Sequence, residues 1–474
     1  MKFSRILFAA LGLTAFLAWA DGLPDLGDAS ETLLSPRQER RLGDEIMASI
    51  RIDRDYLDDP EITDYLNDLG YRLASHSPAV RQEFQFFLVR DAALNAFALP
   101  GGYIGVHTGL IVAAQNESEL AGVLSHEIAH VTQKHLARML EGQKQSQLTS
   151  IAALAVAILA SRSNSQVSQA AIATAQASSI QSQLNFTREH EREADRVGFQ
   201  ILDQAGFDVR GMGSFFERLQ RSTRLYEGNA PSYLRTHPLT YERIADVQNR
   251  IQSRPYKQVA DSAEFQLARA KLKAAQDTPR DAVNFFEEAL KRRNFGAEAS
   301  TRYGLVAALL RDNNDTRAQK EMGVLRRLLP AHPMVASLDC RVESAQSPAK
   351  GLDCYRAALK RYSGYRGLIH DAAEALLQQR QADEALRLLA TQTQLYPSDA
   401  GLRFLEAKAY AAQGKILSQH RSQAEGYALL GRLQSAIEQL QLGVKAGDGD
   451  FFQLSGAEAR LRELRLQEQE ARRK

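Results

Sequence analysis

The sequence predicts a mainly α-helical protein in two parts: an α+β domain with a small β element, followed by an α-solenoid of helix pairs. Three observations carry this. Capped, amphipathic helical text fills most of the first half. Two strand-like runs, Phe84–Val89 and Tyr103–Val106, interrupt it on either side of the turn signal Pro100-Gly101-Gly102. From about Asp261 onward small residues recur near a period of 34.

The first element is a leader. Lys2 and Arg5 precede an apolar run from Ile6 to Leu17, and Ala18-Trp19-Ala20 offers an A-x-A site, so residues 1–20 read as a signal peptide cleaved after Ala20. The run is short for a membrane span and no cysteine follows the site, so the mature protein is expected free in the export compartment. Its formal charge, +2 for the whole chain, falls to zero when the two leader cations go, and nothing steers it to nucleic acid.

Ser35-Pro36 and Asp59-Pro60 each set a capping side chain before a first-turn proline, and each opens a helix. Asn116 with Glu119 fits another N-cap and its capping partner, after which Leu120, Val123, Leu124, Ile128 and Val131 keep a helical period. The apolar run Leu148–Ala160 would rise only about 20 Å as a helix, short of the roughly 30 Å hydrocarbon core. It reads as a buried or lid helix, and the Ser/Ala/Gln-rich stretch from Ser161 to Gln183 as a mobile connection or hairpin over the cleft. A brief peripheral membrane contact is the other reading. The first domain, residues 21–253, ends near Ser253, with Arg254-Pro255-Tyr256 as linker.

HEIAH, from His126 to His130, falls mid-helix. Residues four apart share a face, so both imidazoles can reach one zinc ion while Glu127 sits beside them as general base. Glu191 and Asp195, also four apart, lie in a second helical segment that ends at Gly206. Glu191 is expected as third ligand, with Glu189, Glu193 and His190 as competitors. Asp195 is expected behind the ligands, holding the His126 ring in its tautomer. Taken alone, this stretch is equally a solvated charged face. Two His, one Glu and an open position for water make one catalytic zinc per subunit.

HEIAH, then EREAD on a later helix, then THPLTYER from Thr236 to Arg243, resembles the M48 family of zinc metallopeptidases. NAFALPGGYIGVHTGLI, from Asn95 to Ile111, is similar to that family's edge-strand segment beside the cleft. The resemblance implies a zincin-like peptidase domain in which His237 and Arg243 serve the oxyanion and Asn95 holds substrate or oxyanion. Ordinary roles also exist for all three: a turn cap for His237, a turn residue for Asn95, a surface arginine for Arg243. His237 could instead close the resting zinc as a fourth ligand, a latch. His107 and His135 take no role in this reading.

In the second half, residues 261–474, Ala282, Ala318, Gly351 and Ala385 mark helix pairs of tetratricopeptide type, and Ala436 follows after an interruption. Pro330 and Pro397 punctuate two pairs, and Ala270 and Ala373 supply the small residue of the preceding helices. A non-repeating bundle is the competing reading. Such a stack presents a concave binding surface and no catalytic cluster. Cys340 and Cys354 fall in neighbouring helices, and in an oxidising compartment they are either a disulfide or two buried thiols.

With leader and repeats added, the chain is similar to a periplasmic branch of M48 concerned with outer-membrane β-barrel assembly. That implies unfolded or misassembled outer-membrane proteins as substrates and the β-barrel assembly machinery as partner. Two functions follow: an endopeptidase that clears such proteins, or a chaperone or adaptor whose proteolysis is latent.

Overall fold

The computed structural model describes residues 35–78, 82–140, 188–225, 232–293 and 296–472. The leader and the Leu148–Gln183 segment lie outside them. No described helix is long and apolar enough to cross a membrane.

The first helix, α1 (Pro36–Ile50), starts in a capping box between Ser35 and Gln38. The second, α2 (Pro60–Ala74), is capped by Asp59, whose carboxylate accepts from the amides of Glu61 and Ile62. The two predicted runs form β2 (Gln85–Val89) and β4 (Tyr103–His107), and with β1 (Tyr56–Leu57), which precedes α2, and β3 (Ala96–Leu99) they make a sheet in the order β1-β2-β4-β3. β2 runs parallel to β4 and β3 antiparallel to it, so β3 is an edge strand. The turn between β3 and β4 needs Gly101 and Gly102, both at positive φ (75° and 82°), where a side chain would be strained.

After the short α3 (Thr108–Ala113), α4 (Glu117–Thr132) runs through the core with every residue from Glu117 to Val131 buried. Asn116 caps it, accepting from the Glu119 amide at 2.9 Å, while the Glu119 carboxylate accepts from the Gln115 amide rather than from Asn116. α5 (His135–Leu140) follows a reversal at Lys134, φ 51°. α6 (Arg188–Gln204) and α7 (Arg210–Leu225) then pack on α4. The approach is close because it uses glycine: a Cβ on Gly198 would lie 3.0 Å from His126 Cα, and one on Gly211 2.4 Å from the Ser118 carbonyl. α8 (Ser232–Thr236) and α9 (Tyr241–Gln252) complete this half.

Twelve helices follow among the described residues, from Ala263 to Arg472, in six pairs. Ala282, Ala318, Gly351 and Ala385 each stand fourth in the second helix of a pair and are buried, which is the predicted register. Ala436 does not continue it. An intervening pair, Ala400–Ala412 with Ile416–Leu429, carries Gln419 at that position, and Ala436 belongs to the first helix of the last pair, Leu433–Val444. Cys340 and Cys354 are joined by a disulfide, their Cα atoms 5.3 Å apart.

The repeats curl back onto the first half. Lys271 Nζ lies 2.6 Å from Asp59 and 2.7 Å from Glu61, Arg366 pairs with Asp64, and Arg51 donates to the Leu429 carbonyl at 3.3 Å. Between the halves is a cleft of about 860 Å³, lined among others by Arg40, Asp68, Phe86, Tyr365 and Tyr396.

Candidate metal centre

Helical spacing on α4 brings His126 and His130 together, Nε2 to Nε2 at 2.9 Å. α6 lowers Glu191 onto them, with Oε1 3.3 Å from His130 Nε2 and Oε2 3.5 Å from His126 Nε2. His237, just past α8, completes the group: its Nδ1 is 3.0 Å from Glu191 Oε1 and 3.4 Å from His126 Nε2. One donor atom from each of the four lies within 4.8 Å of the others, and all four side chains are buried.

The donor set fits a cation. His126 turns Nδ1 toward Asp195 Oδ1 at 2.9 Å, and His130 turns Nδ1 toward His135 Nδ1 at 2.9 Å. Those outer contacts leave the two facing Nε2 atoms free to turn their lone pairs on one cation. Three imidazoles and a carboxylate suit zinc.

The charges agree. Burial alone would raise the Glu191 carboxyl, but His237 and Arg243 hold it well below the usual range. Asp195 is likewise held down against burial by Arg243. Burial pushes His130 down to about 3, which keeps its imidazole neutral, whereas for His126 the carboxylates of Asp195 and Glu191 overcome burial and push it up to about 9, so this ring holds a proton that a cation at Nε2 would displace. Glu127 is fully buried, and its Oε1 lies 3.5 Å from His237 Nε2. Burial raises its carboxyl, with His237 and His126 opposing.

The remaining predicted residues fall at various distances from this cluster. Asp195 stands behind His126, its Oδ1 2.9 Å from Nδ1. Arg243 is no surface residue: it donates to Asp195 through Nε and Nη2, both at 2.7 Å, while Nη1 sits 2.7 Å from Glu191 Oε2 and donates to the Pro238 carbonyl at 2.8 Å. It stands behind the carboxylates rather than over the ligands. Asn95 is buried at the lead into β3, its Oδ1 without a partner. Glu193 and His190 are away from the cluster: Glu193 binds His135 at 3.2 Å and Arg138 at 2.8 Å, and His190 stacks on His135. Glu189 is exposed.

Sequence reasoning missed two residues. His135 backs the ligand His130 and links it to Glu193; the reversal at Lys134 hides this from helical spacing. Tyr233 is buried, stacks on His237 (ring centroids 4.7 Å apart, planes at 27°) and has a hydroxyl with no partner. Its one signal is its place a single helical turn before His237.

The comparisons with known proteins bear on the same residues. The pattern of peptidase family M48 matches residues 60–251, which contain every member of the cluster. Along nearly its whole length the chain is similar to the β-barrel assembly-enhancing protease of Escherichia coli (strain K12), 35% identical over 464 residues, 96% of this chain and 93% of the relative. The chain belongs to peptidase family M48. The Yersinia pestis β-barrel assembly-enhancing protease is 32% identical over 88% of this chain and 86% of its own length. A mitochondrial metalloendopeptidase of Schizosaccharomyces pombe is 27% identical over 39% of this chain and 51% of its own length. This M48 peptidase is therefore a zinc-dependent metallopeptidase followed by a helical repeat region.

Proposed function

We propose that this M48 peptidase is a periplasmic endopeptidase that cleaves misfolded or misassembled outer-membrane proteins. Residues 1–20 are its signal peptide, 21–253 its peptidase domain, and 261–474 a repeat domain that binds substrates and the β-barrel assembly machinery. One observation carries the reading: a buried four-donor cluster with the buried Glu127 beside it. It occurs in a chain related along 96% of its length to a β-barrel assembly-enhancing protease.

His126, His130 and Glu191 would hold a zinc ion, which when bound would lower the pKa of a water and polarise a carbonyl. Glu127 cannot reach the same ion from its place between the ligands. Its carboxylate, made more basic by burial, takes the proton of the attacking water and returns it to the leaving amine. Asp195 fixes the His126 ring, and Arg243 keeps Asp195 and Glu191 ionised in a dry site. Substrate backbone lies along the edge strand β3, where Asn95 orients it. His237 stands where a fourth ligand would, which supports a latched resting state and, with it, the second reading of a chaperone or adaptor with latent proteolysis.

Purified mature protein tests the reading by its zinc content and by cleavage of casein and of an unfolded outer-membrane barrel. About one zinc per chain and chelator-sensitive cleavage are expected. Capture of the barrel without any cleavage leaves the adaptor.

A further inference from the structure

Addition of water to a peptide carbonyl puts negative charge on one oxygen, and a hydrolase needs a positioned donor for it. Each residue that the sequence offers already has another task. His237 Nδ1 sits among the ligand atoms and its Nε2 is turned to Glu127. Arg243 is engaged by Asp195, Glu191 and the Pro238 carbonyl. Asn95, at the lead into β3, is placed above on the substrate backbone.

Two buried hydroxyls on these elements lack partners, those of Ser125 and Tyr233. Ser125 precedes His126 on α4 and so points about 100° away from it around the helix. Tyr233 lies against the site. Its ring stacks on His237, meets Phe215 edge-on at 5.8 Å and stands 6.4 Å from the His126 ring. Its amide donates to the Leu94 carbonyl at 3.2 Å, just before Asn95 and the edge strand. The phenol is thus held relative both to the ligands and to the strand beside which substrate would run. Burying a hydroxyl with nothing to bond is unfavourable unless a partner arrives later.

The geometry points to Tyr233 as the donor to the oxyanion, an inference that rests on the hydrolysis proposed above. The hydroxyl gives a hydrogen bond and keeps its proton; Glu127 alone moves protons. When substrate displaces His237, Phe215 and the Leu94 tether keep the phenol in place.

Tyr233→Phe removes the donor and keeps the ring. The probes are a phosphinic peptide, which mimics the tetrahedral oxyanion, and a hydroxamate, which binds metal without that geometry. Each is titrated calorimetrically into zinc-loaded wild type and variant, beside peptide cleavage. Expected are unchanged zinc content and melting, unchanged hydroxamate affinity, and phosphinic affinity and kcat both lowered about a hundredfold with little change in KM. Equal phosphinic affinity in the two proteins overturns the inference. So does lost zinc, which would make Tyr233 structural, or a gain in activity, which would make its hydroxyl part of the latch. Wild type that neither cleaves nor binds the phosphinic peptide would instead sink the endopeptidase reading itself.

Discussion

Arg243 grips Asp195 with a two-pronged bond, Nε to Oδ2 and Nη2 to Oδ1, each 2.7 Å, and both side chains are buried. The pair fixes one carboxylate behind His126 and brings the guanidinium 2.7 Å from the other, Glu191. Arg243→Ala strands two buried anions, and the expected loss of stability is about 3–5 kcal/mol, measured by urea unfolding of the metal-free protein. Arg243→Lys keeps the charge but not the fork, so it should fall between. A loss below about 1 kcal/mol for Arg243→Ala would place the pair in the class of exposed bridges.

Ligand and supporting carboxylates separate by zinc affinity. Glu191→Gln should lose most bound zinc at neutral pH, whereas Asp195→Asn should weaken binding by roughly 10–100-fold, as removal of an orienting partner does. Competition with a chromogenic chelator reads both. Equal affinities in the three proteins would mean that another residue completes the site.

What the sequence could reveal was local. Ser35, Asp59 and Asn116 cap helices through bonds to amides two or three residues on, and His126 and His130 share a face by spacing alone, so all five were legible. Contacts that close through space were not. His135 meets His130 only because the backbone reverses at Lys134, and Tyr233 meets His237 only because their ring planes stack across a helix end. The Arg243 partners were invisible for the same reason, although its family position was recognisable. The misplaced Ala436 has another cause: small residues also pack in first helices, as Ala270 and Ala373 do, so a small residue alone does not say which helix of a pair it marks.

The latch predicts a gain of function. At equal zinc loading His237→Ala should cleave casein faster than wild type, because the fourth position is no longer filled by a side chain. A clear fall, of a hundredfold or so, would mark His237 as a transition-state donor instead.

Lys271 ties the repeats to the first half through Asp59 and Glu61. Lys271→Ala leaves these carboxylates facing each other in a buried interface, and a loss of about 3–5 kcal/mol is expected. The sign with pH follows from Asp59: burial would raise its carboxyl, but Lys271 holds it below its usual 3.8. The pairing contributes fully above that value and is lost as pH falls through the lower folded one. The gap between wild type and Lys271→Ala in thermal unfolding should therefore narrow below about pH 4. A gap unchanged down to pH 2 would contradict the assignment.

Glu127 is the proposed general base, buried beside His237 with Oε1 3.5 Å from its Nε2. Glu127→Gln is nearly isosteric, so zinc content and melting temperature should match wild type. The deciding measurement is hydrolysis of an unfolded substrate by zinc-loaded wild type and Glu127→Gln side by side. The metallopeptidase account predicts equal zinc with cleavage reduced by at least 10²-fold, the lower range for loss of a general base. Equal zinc with cleavage at the wild-type rate would contradict it.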